Sequence, residues 1–192
     1  MSEGGFHVHG PHDHELEHAA QHGSGDSFSG RIAVTTAVLA TIGALFSYQG
    51  GATQANAGLA KNNAAIKKTE AANQWNFYQA KSTKQNLAEL GMQLSPPHQR
   101  EHFQQSIDRY KEEKEGIKKT AEKLEGESTE WDKRSDELMH LHHRWAQATT
   151  LLQIAIALSA IALLTRKKWL QLGVYGLSAV GIVIGGLAIL HT

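Results

Sequence analysis

The stretch "HVHGPHDHELEHAAQH", His7 to His22, holds six of the chain's twelve histidines: His7, His9, His12, His14, His18 and His22. Imidazoles beside carboxylates are a donor set for zinc, nickel or copper. His14, His18 and His22 recur every four residues, so a helix would stack them on one face near Glu15 and Glu17. His7 with His9, and His12 with His14, would serve an extended chain equally well. Against a built site stand Gly4, Gly5, Gly10, Gly23 and Gly25, and the lack of apolar residues to surround and orient the ligands. The expectation is a disordered polar tail over residues 1–30 that chelates a divalent metal weakly, with no other cofactor.

A second pattern, "HQREH" from His98 to His102, matches the inverted zinc-protease order H-x-x-E-H. That chemistry needs the motif on a helix inside an enzyme fold, with a third ligand and a substrate cleft. Here it directly follows Pro96 and Pro97, at a turn. The context excludes a protease. No phosphate loop, nucleophile–base pair or buried carboxylate pair is legible elsewhere, so no catalytic residue is assigned and the chain reads as a non-enzyme. Cysteine is absent, which removes disulfides, thiolate zinc sites and cysteine nucleophiles. The formal net charge is zero, from 19 Lys+Arg against 19 Asp+Glu, so no global field draws in nucleic acid.

The elements around these residues are easier to read. Three runs carry no charge: Ile32 to Tyr48, Ala146 to Thr165 and Leu170 to Leu190. A spanning helix needs about 20 predominantly apolar residues, with roughly 17 as the lower bound. The second and third runs meet this, and the first does so marginally. The first is no signal peptide, because the 30 residues before it are acidic and His-rich, with Arg31 the one base.

"TRKK", Thr165 to Lys168, puts three positive charges in a short loop between two spans. Such loops stay cytoplasmic. The N-terminal histidines are then cytoplasmic, and residues 49–145 lie on the far side. His140, His142 and His143 fall at that outer interface beside Trp145, where interfacial solvation explains them.

Residues 49–145 read as two long helices of about 46 residues each, which at 1.5 Å per residue project roughly 70 Å. "SPP", Ser95 to Pro97, is the turn, with Ser95 as N-cap of the returning helix. Phe103, Ile107, Tyr110, Lys114, Ile117, Ala121, Leu124, Ser128, Trp131, Ser135, Leu138, His142 and Trp145 alternate spacings of four and three, the signature of a left-handed coiled coil. On the outgoing helix a weaker seam is read through Ile66, Asn73, Ala80, Leu87 and Leu94, with Phe77 and Gly91 between them. That helix carries five Lys and two Glu, the returning one 10 bases and 12 acids, so opposite signs favour antiparallel pairing. Trp75 and Tyr78 fall off the outgoing seam; they either pack partly against the partner helix or, the reading preferred here, meet another copy, as exposed aromatics do at interfaces.

Within the spans, Gln153 is the strongly polar side chain deeper in the second and is expected to bond across helices, while Gly181-x-x-x-Gly185 makes a small-residue contact face in the third. No Asp, Glu, Lys or Arg lies within the three uncharged runs, which argues against coupled transport. The chain thus reads as an all-α membrane protein: transmembrane helices at 31–48, 146–165 and 170–190, a cytoplasmic loop at 166–169, and a long antiparallel coiled-coil hairpin, with its turn at 95–97, between the first and second.

"QWNFYQAKS" (Gln74 to Ser82), early in such a hairpin, together with "LLQIAIALSAIALLTRKK" (Leu151 to Lys168), resembles bacterial membrane proteins grouped as domain-of-unknown-function family 4337. The resemblance runs nearly end to end: His- and Glu-rich head, span, charged hairpin, two closing spans. It implies a bacterial inner-membrane location and no activity. Three roles stay open from the residues. The first is an oligomeric structural or scaffolding component, with lipid and further copies of itself as partners. The second is an oligomeric pore lined by Thr35, Thr36, Thr41 and the Asn/Gln-rich start of the hairpin. The third is metal handling through the tail. Packing between helices or copies is assigned to Trp75, Tyr78, Ile117, Leu124, Trp131, Leu138, Gln153, Gly181 and Gly185.

Overall fold

The structure is a computed structural model and describes residues 27–190. The six tail histidines read as weak metal ligands, His7, His9, His12, His14, His18 and His22, lie outside the described residues. Those described form three α-helices: α1, Ser27–Leu94; α2, Arg100–Thr165; and α3, Lys168–Leu190. No strand occurs among them. α1 and α2 have 68 and 66 residues, and α1 runs unbroken through the Gly50–Gly51 pair. Each glycine costs about 1 kcal/mol against alanine in a helix, but alanine is frequent around the pair and no proline intervenes before Pro96.

The α1–α2 turn is tighter than a Ser-capped start. A 3-10 turn at Pro97–Gln99 precedes α2, its cap residue is Pro96, and no side chain caps it. The Gln99 N–H donates to the Pro96 carbonyl at 3.0 Å. Ser95 contributes its carbonyl instead, accepting from Arg100 Nε at 3.4 Å. The two prolines supply the fixed φ that an N-cap hydroxyl would otherwise have to enforce. At the α2–α3 turn Arg166 adopts φ 53°, the left-handed conformation that usually closes a helix at glycine. Its N–H donates to the Ala162 carbonyl at 2.9 Å.

The contacts divide the chain into two units, residues up to Gly50 with those from His143 onward, and Gly51–His142. In the first unit the buried residues are mostly small. α2 buries Trp145, Ala148, Leu152, Ala155, Ser159 and Ala162, and α3 buries Leu170, Val174, Ser178, Gly181, Gly185 and Ala188. Ile32, Ala162 and Leu170 form a cluster with Phe28 and Leu158 packed on it. Buried Ser159 and Ser178 donate to carbonyls of their own helices, Ala155 at 2.9 Å and Val174 at 2.7 Å, so neither hydroxyl is orphaned. Many large aliphatics point the other way: Val34, Val38, Leu45, Ile154, Ile161, Leu164, Leu172, Val183 and Ile189 are all exposed.

The second unit is an antiparallel helix pair. Partner numbers fall as α1 numbers rise: the Ser135 hydroxyl donates to the Ala57 carbonyl and that of Ser128 to Ala64, both at 2.9 Å, and Lys81 meets Glu113 at 2.5 Å. A serine hydroxyl reaches a neighbouring backbone only if the two helices nearly touch. Alanine permits this. Ala57, Ala60, Ala64 and Ala71 are buried on α1 against Ala121, Ser128 and Ser135 of α2.

Here the outgoing seam differs from the one read in the sequence. Ile66, Phe77, Leu87 and Leu94 are exposed large apolars, and Asn73 and Ala80 are exposed with them. Gly91 of that set packs closely on α2: a Cβ there would come within 2.6 Å of the Phe103 ring. The buried stripe instead follows Thr53, Ala57, Ala60, Ala64 and Ala71, then half-buried Tyr78 and Gln85, and Ala88. Small residues give more contact per turn between two backbones than an isoleucine that would hold them apart.

Candidate functional site

On α2, residues of two sizes alternate along the seam. Ala121, Ser128 and Ser135 stand seven apart and are buried, touching α1 directly. Ile117, Leu124, Trp131 and Leu138, also seven apart, are half-buried along its flank. The Arg134 guanidinium lies 5.5 Å from the Trp131 ring, covering part of its face with a cation.

Beyond Ala71 the seam turns polar and aromatic. Trp75 and Tyr78 are half-buried and touch each other edge-on, ring centres 5.6 Å apart. Tyr78 lies within the α1 seam, with Lys114 Nζ 5.1 Å from its ring. Tyr110 on α2 is flanked by two cations, Lys81 Nζ at 5.6 Å and Arg109 Cζ at 5.0 Å. Glu113 balances them, with Oε2 on Lys81 at 2.5 Å and Oε1 3.9 Å from Arg109 Nε. Hydrogen bonding from Lys81 and the positive charges of Lys81, Arg109 and Lys84 hold the Glu113 carboxyl below its ordinary range, against an opposing effect of burial. This cluster specifies where the helices meet. It offers no nucleophile–base pair.

Further pairs run between the helices: Lys61 to Asp132 at 2.5 Å, Lys67 to Glu127 at 3.2 Å and Lys68 to Glu125 at 3.3 Å. Hydrogen bonds from the ammonium to the carboxylate, Asp132 for Lys61 and Glu70 with Glu127 for Lys67, raise both lysines above the usual value. An open groove of about 590 Å³ lies over this region, lined by Lys61, Lys68, Asp132 and Asp136 among others. Its floor is the alanine–serine seam; Lys61 and Lys68 pair with carboxylates of the facing helix, and Lys133 with Glu137 of its own.

In the other unit, Gly181 and Gly185 are both buried. A Cβ at Gly181 would come within 3.2 Å of the Ala148 carbonyl oxygen, and one at Gly185 would collide with the Phe46 ring. The Phe46 ring in turn lies 5.2 Å from that of Trp145. Gln153 is exposed at the surface of this unit. Thr36 and Thr41 donate to carbonyls one turn back, Ile32 and Ala37, and Thr35 is half-buried. The Thr149 hydroxyl is buried without a hydrogen-bond partner among the described residues.

His98, Glu101 and His102 are exposed at the hairpin turn, the His102 ring 6.0 Å from that of Phe103. His140 and His143 are exposed and His142 is half-buried. Among the described residues no three His, Asp or Glu side chains converge on a point that could hold a metal. The metal-ligand assignment to His7, His9, His12, His14, His18 and His22 therefore gains no support from the described residues, since none of the six is among them. What sequence reasoning missed is the alanine stripe of α1. Its signal was present as Ala57, Ala64 and Ala71 at intervals of seven, but alanine is common on every helix face and does not mark one.

No curated protein and no solved structure matches this chain. A family model does, over residues 28–191, so the chain belongs to the family described as Domain of unknown function (DUF4337).

Proposed function

We propose that this chain is a non-enzymatic integral membrane protein of the bacterial inner membrane, acting as an oligomeric structural or scaffolding component. One observation carries the membrane reading. Among its described residues, the unit built from residues up to 50 and from 143 onward buries more alanine, glycine and serine than large side chains and turns most of its Val, Leu and Ile outward. In water so many outward-facing large aliphatics would be unfavourable, since soluble monomers keep exposed apolar patches small. In lipid it is the expected arrangement, since helices associate through small residues and lipid-facing aliphatics cost nothing. Each helix also contains a stretch long and apolar enough to cross a bilayer, with mean hydropathy of 1.5, 2.0 and 2.1. Arg166, Lys167 and Lys168 at the α2–α3 turn then keep that turn and the N-terminus cytoplasmic, with the hairpin periplasmic.

The structural role rests on the hairpin. Its residues serve to hold two helices together, by an alanine–serine seam, ion pairs and cation–aromatic contacts, rather than to enclose a ligand. Mass photometry of the full chain in mild detergent tests the oligomer. A particle of several copies is expected, and a strictly single-copy particle would end the scaffolding reading.

A further inference from the structure

Gly51–His142 exposes its large apolar residues on one helix only. Leu59, Ile66, Phe77, Leu87, Leu90 and Leu94 of α1 are 47% to 78% exposed, and no large apolar residue of α2 within that unit is exposed to a comparable degree. Four of them, Leu59, Ile66, Leu87 and Leu94, stand at multiples of seven from one another, with Asn73 and Ala80 completing the row. α1 therefore carries two stripes. The alanine stripe is satisfied by α2, and the leucine stripe, two residues on and so on nearly the opposite face of the helix, has no partner within the described hairpin.

The order of residues along this second stripe says what fits it. Glu70 and Lys84 lie seven residues to either side of Phe77. Ile66 and Leu87 lie eleven and ten residues away, and Leu59 and Leu94 eighteen and seventeen. The stripe reads nearly the same from both ends, except that the charge changes sign. Two copies laid side by side in the same direction would face Glu70 with Glu70 and Lys84 with Lys84. Laid in opposite directions they place Glu70 against Lys84 twice, Leu59 against Leu94 and Ile66 against Leu87, with Phe77 meeting Phe77 on the two-fold axis. The apolar contacts are similar both ways, so charge decides the direction. Glu70 is engaged by Lys67 on its own helix at 3.1 Å, yet its side chain remains 48% exposed and open to a second cation. α2 of a second copy is a poor occupant, because its outward face is charged.

We propose that the Leu59–Leu94 stripe of α1 binds the same stripe of a second copy in antiparallel register about Phe77. The inference rests on the oligomeric reading above and gives it a contact. The interface is isologous, the same stripe being contributed by both copies.

The chain has no cysteine, so introduced thiols report alone. Two differently tagged preparations of the full-length chain, one Leu59→Cys and one Leu94→Cys, are mixed in mild detergent and oxidised, beside each variant alone and Phe77→Cys alone. The expected result is a mixed 59–94 disulfide and a Phe77→Cys self-disulfide, with little self-linkage of Leu59→Cys or Leu94→Cys. Glu70→Lys should cut the Phe77→Cys dimer several-fold, and adding Lys84→Glu should restore it. Self-linkage of Leu59→Cys and of Leu94→Cys without the mixed product would overturn the proposal in favour of parallel pairing. No linkage at any position in a particle of several copies would overturn it while leaving the oligomer standing, and a single-copy particle would overturn both. A Glu70→Lys loss that Lys84→Glu fails to restore, in a chain of unchanged helix content, would overturn the charge pairing that sets the direction.

Discussion

Arg166 holds a conformation that costs an L-residue roughly 1–2 kcal/mol and a glycine almost nothing. Arg166→Gly should therefore leave thermal stability in detergent unchanged or raise it by up to about 1 kcal/mol. A clear loss would mean that the guanidinium's own contacts outweigh the backbone strain. Glu113 makes a second, pH-dependent test. Its carboxyl is held below 4.5 in the folded hairpin, chiefly by hydrogen bonding from Lys81. A depressed carboxylate contributes stability that is complete above its unfolded value and disappears as pH falls through the folded one. Protease resistance of the hairpin should thus be flat near neutrality and fall in acid, more shallowly in Glu113→Gln. Lys61 and Lys67, raised above 10.5, contribute in the opposite sense, fully below the unfolded value and less as pH climbs through the folded one. These groups are solvent-accessible, so each effect should be small. For His7, His9, His12, His14, His18 and His22, calorimetry with zinc should give weak binding that vanishes when the tail is removed. Equal binding by both proteins would end the metal proposal.

The hairpin turns on which α1 face meets α2. Ala64→Leu would insert side-chain volume where the Ser128 hydroxyl now reaches the Ala64 carbonyl. Overpacking of this kind costs about 1–3 kcal/mol, so limited proteolysis should cut the hairpin much faster. Ile66→Ser, two residues away on the exposed stripe, should leave proteolysis of the hairpin nearly unchanged. Equal effects would mean that the alanine stripe is not the contact. Half of this element is legible in the sequence. On α2 the large residues Ile117, Leu124, Trp131 and Leu138 flank the same seam as the small ones, so hydrophobic spacing and the true interface coincide. On α1 they do not. Ile66, Leu87 and Leu94 have the stronger apolar signal and lie outside, while the interface consists of alanines whose merit is the volume they lack. Tyr78 follows the same logic: measured from the leucine stripe it lies off the seam, and measured from Ala57, Ala64 and Ala71 it is the next position. The turns are legible as turns, but neither the proline cap nor the left-handed Arg166 follows from residue type.

At the scale of the whole chain, length and polarity dominate. Three uncharged runs survive in the structure as stretches of three helices, two of them continuing without a break into the polar hairpin. On the proposed topology such continuity transmits orientation: with the α2–α3 turn fixed on one side by its three positive charges, the α1–α2 turn lies on the other. The exposed aliphatics of the first unit and the ion-paired surface of the second suit two different solvents, lipid and water. The most direct measurement places single cysteines at Ser95 and at Thr165 in the otherwise cysteine-free chain and treats intact spheroplasts with a membrane-impermeant thiol reagent. Labelling at Ser95 and protection at Thr165 is the predicted result. Equal labelling of both in intact cells, or equal protection, would place the two turns on one side and contradict a chain that crosses the bilayer three times.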